Sequence, residues 1–135
     1  MSVARVAGID HVNLCTSADR LDRVARFYVD AIGLTLGLRP ASSQPGLWLC
    51  AGEQVVIHVS AKAPASEEGA SQGERPARGF DHIAFRTTGG ASYRERLRAL
   101  HIGFSESKRP TSYQILLTDP DGTRIELNFD PAEAA

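Results

Sequence analysis

The chain has 135 residues, of which 42% are hydrophobic, and its 15 basic and 16 acidic side chains give a formal net charge of −1. This length fits one domain with a well-buried core. The near-neutral charge offers no electrostatic reason to expect a nucleic acid or an anionic membrane surface as a partner. No apolar run is long enough to cross a bilayer, and the first eight residues lack the apolar stretch of a signal peptide. Two cysteines, Cys15 and Cys50, fit a reducing compartment, so we expect a cytoplasmic protein.

The first half of the chain predicts a strand, a helix and three further strands. Polar residues alternate with apolar ones from residue 11 to residue 14, as in a half-buried strand. Asp19 is placed to cap a helix, with Asp22 as the acidic member of a capping box. Apolar residues then recur at helical spacing up to residue 32, and Gly33 is predicted to end the helix. Strands are predicted at 34–38, 47–51 and 54–60, the last two joined by a tight turn.

The second half repeats this order of elements. After a strand near residue 82, Ser92 and Glu95 match the S-x-x-E pattern of a helix capping box. Apolar residues share one face of this helix, and Gly103 is predicted to end it. Strands are expected at 104–108, 113–118 and 123–129. The residues between the last two, DPDG at 119–122, have proline and glycine at the positions that a β-turn favours.

Two segments repeat along the chain at nearly the same offset. Residues 8–14, GIDHVNL, correspond to residues 79–85, GFDHIAF, and residues 57–59, IHV, correspond to residues 125–127, IEL. The offset is about 70 residues in both cases, which indicates an internal duplication. We therefore predict an α+β fold of two βαβββ modules related by a pseudo-two-fold, with mixed sheets curled around a cavity. The single domain, residues 1–135, divides into module one (8–60), a linker (61–78) and module two (79–130).

The strand alternation predicts which side chains share a surface, because successive side chains point to opposite faces of a sheet. One face of each repeated strand is apolar and suits packing beneath the helices. The opposite face is polar and carries a histidine or a glutamate: His11, His58, His82 and Glu126. Since these strands are pseudo-equivalent, their polar faces are expected to line one shared cavity.

These four side chains are the candidate ligands of a divalent metal ion. Imidazole and carboxylate suit borderline divalent ions, and no cysteine thiolate joins them as in a structural zinc cluster. For Glu126, an ion pair with Arg86 or Arg124 is the alternative to ligation. His58 is placed equally well as a ligand and as a hydrogen-bond donor on the cavity wall. His101 is expected to be an ordinary solvated side chain.

Further polar or aromatic residues on the same strand faces are candidates for contact with a substrate. Arg86 and Arg124 suit an anionic group, although charge balance at the sheet surface explains them equally well. Trp48 could provide an aromatic surface for a substrate, and the alternative is that it is a core or rim residue. The candidate substrate-binding residues are Asn13, Trp48, Arg86, Gln114 and Arg124.

With these motifs the sequence resembles the vicinal oxygen chelate superfamily, also called glyoxalase/bleomycin resistance/dioxygenase proteins. The motifs are DHV at 10–12, FY at 27–28, IGL at 32–34, IHV at 57–59, DHIAF at 81–85 and DPDG at 119–122 with IEL at 125–127. The resemblance implies paired βαβββ modules around a metal site and a homodimer. It places His11, His82 and Glu126 where family members carry two histidines and a carboxylate. His58 falls where glyoxalase I has a glutamate, and this departure argues against glyoxalase I activity itself.

The resemblance leaves several functions open. The first is a glyoxalase-like metal-dependent lyase or isomerase acting on a small oxygenated substrate, neutral or anionic, with Glu126 or His58 moving a proton. The second is a resistance enzyme that adds a thiol or water to an epoxide such as fosfomycin. An Fe(II) extradiol dioxygenase and a metal-free drug-binding protein of the bleomycin-resistance type are further alternatives. Each enzyme requires one divalent ion, and zinc, nickel, manganese and iron are not distinguished.

Overall fold

The computed structural model describes residues 9–39, 41, 43–61 and 82–134. The predicted linker, residues 61–78, lies outside the described residues except for Ala61, which ends a strand. Asp81, the residue before His82 in the second copy of the repeat, also lies outside them.

Each module consists of one strand, a helical segment and three further strands, as predicted. Module one comprises β1 (Val12–Thr16), a 3₁₀ turn (Ala18–Arg20), α1 (Leu21–Arg26), a π-helical turn (Phe27–Ile32), β2 (Thr35–Leu36), β3 (Gly46–Ala51) and β4 (Gln54–Ala61). Module two comprises β5 (His82–Arg86), α2 (Gly90–Ala99), β6 (Ser105–Arg109), β7 (Ser112–Thr118), β8 (Arg124–Phe129) and a closing 3₁₀ turn (Pro131–Ala134).

The two sheets have the same topology, which confirms the fold class predicted from the internal repeat. The strand orders are β1-β4-β3-β2 and β5-β8-β7-β6. In each sheet the first and last strands of the module pair in parallel, and the remaining neighbours are antiparallel. In the parallel pairs His58 is opposite Asn13 and Glu126 is opposite Ala84, so the two candidate ligands occupy matching places. Both sheets are open.

The first helical segment ends where predicted but begins differently. Asp19 lies inside the 3₁₀ turn, and the residue that precedes α1, Arg20, makes no side-chain capping hydrogen bond. The predicted cap is therefore wrong. A carbonyl group of the 3₁₀ turn, and not the Asp19 side chain, accepts the hydrogen bond from the first N–H group of the helix. At the other end Gly33 adopts a φ of 95°, and its N–H donates to the Tyr28 carbonyl at 3.0 Å. Glycine is favoured there because a side chain would clash in this left-handed conformation.

The second helix is capped by the C-terminal segment, not by the predicted capping box. Ser92 lies within α2, whose N-cap is Gly89. One carboxylate oxygen of Glu133 accepts hydrogen bonds from the N–H groups of Gly89 and Gly90, at 2.8 and 2.9 Å. A carboxylate at this end also interacts favourably with the helix dipole. The closing 3₁₀ turn, Pro131–Ala134, is therefore held against the fold.

The helix also ends without the predicted glycine. His101 takes the left-handed conformation with a φ of 56°, and the Ile102 N–H donates to the Leu97 carbonyl at 2.9 Å. Gly103 has no positive φ, so its predicted role in ending α2 is wrong. His101 remains exposed, as expected of a solvated side chain.

The apolar sheet faces and the helices enclose one continuous core that contains residues of both modules. Its fully buried side chains include Val24, Tyr28, Leu49, Ile57, Val59, Leu97, Tyr113, Ile115, Ile125 and Leu127. Polar contacts also join the modules: the Tyr28 hydroxyl donates to Asp119 at 2.8 Å, and the Tyr93 hydroxyl donates to the Ile32 carbonyl at 2.7 Å. No helix in the described part of the chain is both long and apolar enough to cross a membrane.

Candidate metal centre

The repeated strands have one apolar and one polar face, as the alternation predicts. In β4, Ile57 and Val59 are buried, whereas His58 between them is half-exposed. In β8, Ile125 and Leu127 are buried on either side of the half-exposed Glu126. The apolar neighbours fix the strand phase because turning them outward would remove them from the core. The candidate ligands are thus held on the polar faces by the packing beneath them.

His82 and Glu126 form the closest pair among the candidate ligands. The Nε2 atom of His82 lies 3.0 Å from Oε2 of Glu126, and the two side chains are 44% and 16% exposed. The Gln114 side-chain amide donates to the other carboxylate oxygen of Glu126, and also to Oδ1 of Asn128 at 2.9 Å. A carboxylate held from one side by an amide presents its other oxygen in a defined direction, toward His82.

His11 and His58 form a second pair, in which the rings lie face to face. Their centroids are 3.8 Å apart with an interplanar angle of 16°. Trp48 stacks on the opposite face of His58 at 4.5 Å and 8°. Desolvation, followed by the neighbouring charge of His11, lowers the pKa of His58. His58 is thereby favoured as a neutral imidazole between two rings, an arrangement typical of a cavity wall.

Asp10 orients the ring of His11. Its Oδ2 atom lies 2.7 Å from Nδ1 of His11. A carboxylate on Nδ1 fixes the proton there and leaves the lone pair of Nε2 for another partner, an arrangement common around histidines that bind metal ions. This hydrogen bond supports a ligand role for His11, and it involves a residue of the repeated Asp-His dipeptide.

The four candidate ligands lie in two pairs, His82 with Glu126 and His11 with His58. In the parts of the chain that the structure describes, no group of three or more His, Cys, Asp or Glu side chains is arranged to hold a metal ion. His82 nevertheless links the two pairs: it lines a pocket of about 270 Å³ together with His11, and a smaller one of about 180 Å³ together with Glu126 and Arg124. The convergence of all four ligands stays a prediction.

The predicted substrate-binding residues have different surroundings. Trp48 stacks on His58, Gln114 binds Glu126, and Asn13 accepts a hydrogen bond from Ser60 at 2.9 Å. Arg86 is exposed on β5, and Arg124 lines the pocket with Glu126.

Two residues of the site were not predicted. Asp10 adjoins His11 in the repeated dipeptide, and Asn128 shares the polar face of β8 with Glu126. Both positions carried a signal, namely the repeat and the strand phase, but only a structure shows which atoms they contact.

The family is decided by a match to a protein-family model. The model of the glyoxalase/bleomycin resistance protein/dioxygenase superfamily matches residues 8–127. The chain belongs to this superfamily. The superfamily match spans both modules, which is consistent with the duplicated topology. No curated protein matches the sequence significantly.

Solved structures of the superfamily share the fold at low sequence identity. A glyoxalase family protein from Bacillus anthracis is 22% identical, with a TM-score of 0.70 over 96% of this chain and 99% of that one. Lactoylglutathione lyase from Agrobacterium tumefaciens is 22% identical, with a TM-score of 0.60 over 98% and 100%. A mutant of the fosfomycin resistance protein FosX from Listeria monocytogenes, complexed with Mn(II) and 1S,2S-dihydroxypropylphosphonic acid, is 19% identical, with a TM-score of 0.69 over 96% of each chain.

Proposed function

We propose that this protein is a cytoplasmic, glyoxalase-like lyase or isomerase that uses one divalent metal ion and acts on a small oxygenated substrate. The observation that carries the proposal is the contact of 3.0 Å between His82 Nε2 and Glu126 Oε2. This contact places an imidazole nitrogen and a carboxylate oxygen side by side on the polar face of one sheet. Both are donors that suit a borderline divalent ion.

His11 is the proposed third ligand. It lines the same pocket as His82, and its Nδ1 faces Asp10, so that Nε2 remains for the ion. The ring of His58, the fourth candidate ligand, is held between His11 and Trp48. We propose that it forms the wall of the site and exchanges a proton with the substrate.

When bound, the ion would polarise a substrate oxygen and stabilise negative charge on it. Glu126 is the proposed general base, because its carboxylate is partly exposed and is oriented by Gln114. It would remove a proton from the carbon next to the polarised carbonyl and return it to a neighbouring carbon. Asn13, Arg86 and Arg124 remain proposed contacts for other parts of the substrate.

A second candidate is a resistance enzyme that opens an epoxide such as fosfomycin. It is supported by Arg124, which lines the small pocket with His82 and Glu126 and offers a guanidinium to an anionic group. The FosX structure described above, which has this fold, holds Mn(II) and a phosphonate. The two candidate functions use the same metal-binding residues and differ in the substrate.

Metal analysis tests the proposal. Protein purified without added metal, then equilibrated with manganese, nickel, zinc or iron, is expected to bind about one ion per chain and to gain thermal stability from it. His82→Ala is expected to lose the ion, whereas His101→Ala, an exposed histidine outside the site, keeps it. A wild-type protein that binds none of these ions contradicts the proposal. Turnover of a thiohemiacetal then favours the lyase, and loss of fosfomycin favours the resistance enzyme.

We further propose a homodimer, in which His11 meets the His82–Glu126 pair either within one chain or across the interface. Mixing two inactive variants, His11→Ala and Glu126→Ala, separates these arrangements. If the site lies between chains, co-refolded protein should regain about a quarter of the wild-type metal sites, because each heterodimer rebuilds one. If the site lies within one chain, the mixture should bind no more metal than the separate variants.

A further inference from the structure

The larger pocket lies where the edge strands of the two sheets approach each other. It has a volume of about 270 Å³ and is lined by residues of β1, β4 and β5, together with the residues that precede β1. Small-molecule sites in proteins begin at roughly 300 Å³, so this space suits a compact ligand with a single ring or a short chain.

The lining of this pocket is apolar on most sides and carries little charge. Hydrocarbon is presented by Val12, Ile57, Ile83 and Phe85, and the uncharged polar groups at the same pocket are those of His11, Gln54 and His82. Among the residues that the structure describes, Asp10 supplies the one carboxylate on the lining, and none of the lysines or arginines lines it. In the metal-free chain, an anionic group placed here would lose its hydration without gaining a lysine or arginine partner from the described residues.

We infer that this pocket binds the apolar, uncharged part of a small ligand, whose oxygen faces His11 and His82. The position of that oxygen rests on the proposed function, since the two histidines are proposed metal ligands. The selectivity of the pocket for uncharged ligands rests on its lining alone. The inference therefore favours substrates that place a neutral aromatic or aliphatic group in this pocket over substrates that place an anionic group there.

Two probes of similar size separate these classes: acetophenone, a neutral aromatic ketone, and benzoate, which carries a carboxylate in place of the acetyl group. In a titration of the metal-free full chain, acetophenone is expected to bind at least about tenfold more tightly than benzoate. Asp10→Asn should narrow this preference by strengthening benzoate binding. Equal binding of the two probes, or tighter binding of benzoate, overturns the inference.

A substitution that fills the pocket tests whether the probe binds there. Ala84 lines the pocket, is exposed and lies in a strand, so Ala84→Phe adds a ring without removing a core residue. It should weaken acetophenone binding at least about tenfold. Ala91→Phe, on the exposed face of α2, is the matched control and should leave binding unchanged. Gln54→Trp fills the same space from β4 if Ala84→Phe fails to fold.

The outcomes distinguish this inference from the proposed function. Acetophenone binding that is sensitive to Ala84→Phe, in a protein that binds no metal, supports the pocket and contradicts the metalloenzyme. Metal binding at His82 without a preference between the probes contradicts the inference about the pocket and leaves the proposed metalloenzyme standing. Sedimentation of each variant tests whether a second copy of the chain, and not a small ligand, occupies the pocket. If Ala84→Phe changes the oligomeric state, a second copy fills this space and the inference fails.

Discussion

Replacing Asp119 by alanine is expected to lower the free energy of unfolding by about 3 kcal/mol and the melting temperature by roughly 10 °C. The carboxylate is only 5% exposed. It accepts hydrogen bonds of 2.8 Å from the Tyr28 hydroxyl and from the N–H groups of Asp121 and Thr123. Alanine would leave the fully buried tyrosine hydroxyl and two turn N–H groups without this acceptor.

The loss should affect both modules at once. Tyr28 belongs to the helical segment of module one, whereas Asp119 begins the turn between β7 and β8 in module two. Denaturant unfolding followed by circular dichroism and by tryptophan fluorescence should therefore show one coincident transition, shifted to lower denaturant. Trp48 reports on module one, although the substitution lies in module two. A fluorescence transition that stays at its wild-type position would contradict the coupling.

An exposed aspartate provides the matched control. Asp22 is 3.7 Å from Arg26, in an ion pair whose side chains are 90% and 76% exposed. Such pairs contribute little because water already solvates both charges, so Asp22→Ala should change stability by less than about 0.5 kcal/mol. A similar loss in both variants would show that charge, not the buried contact, explains the effect of Asp119.

The same contact predicts a change in the alkaline range. Burial, reinforced by the nearby charge of Asp119, raises the pKa of Tyr28 well above its ordinary value. Because the folded pKa exceeds the unfolded value of about 10, the contribution of Tyr28 is complete below that pH and is lost as the pH rises above it. In Tyr28→Phe this part of the alkaline destabilisation should disappear, as measured by unfolding at a series of pH values.

The sheets were predictable because their signals are local. Alternation places apolar residues such as Ile57 and Ile125 on one face, and the repeat shows that two segments share one plan. The helix ends were harder to predict, because their partners come from distant parts of the chain. Glu133 caps α2 from the C-terminal turn, and no feature near Ser92 reveals that a competing carboxylate takes this place.

The candidate site was predictable to the level of strand faces only. Strand phase places His82 and Glu126 on one surface, and the contact between them follows from β5 pairing with β8. The same argument places His11 and His58 together, but it does not show that their rings stack. The distance between the His82–Glu126 pair and the His11–His58 pair depends on how the two sheets lie relative to each other. That arrangement is set by the packing of both modules, which strand phase does not predict.

Glu126→Ala is expected to weaken binding of the divalent ion at least about 100-fold, because losing a ligand costs more than losing a residue that orients one. The proposed site contains few donors, and Glu126 supplies its one carboxylate beside two histidines. Titration of the metal-free chain with Mn²⁺, followed by calorimetry, measures this loss. Binding within about threefold of the wild type would exclude Glu126 as a ligand.

Two further variants separate the charge of Glu126 from its orientation. Glu126→Gln keeps the shape and one oxygen but removes the negative charge, so it should bind the ion weakly and lose the proposed proton transfer. Gln114→Leu keeps the carboxylate but removes the amide that holds it, and should weaken ion binding about ten- to hundredfold. Because Gln114 has no role as a base, a partial recovery of turnover at high Mn²⁺ is expected for Gln114→Leu and not for Glu126→Gln. Turnover by Glu126→Gln at the wild-type rate in saturating Mn²⁺ would assign the proton transfer to another residue, with His58 as the remaining candidate.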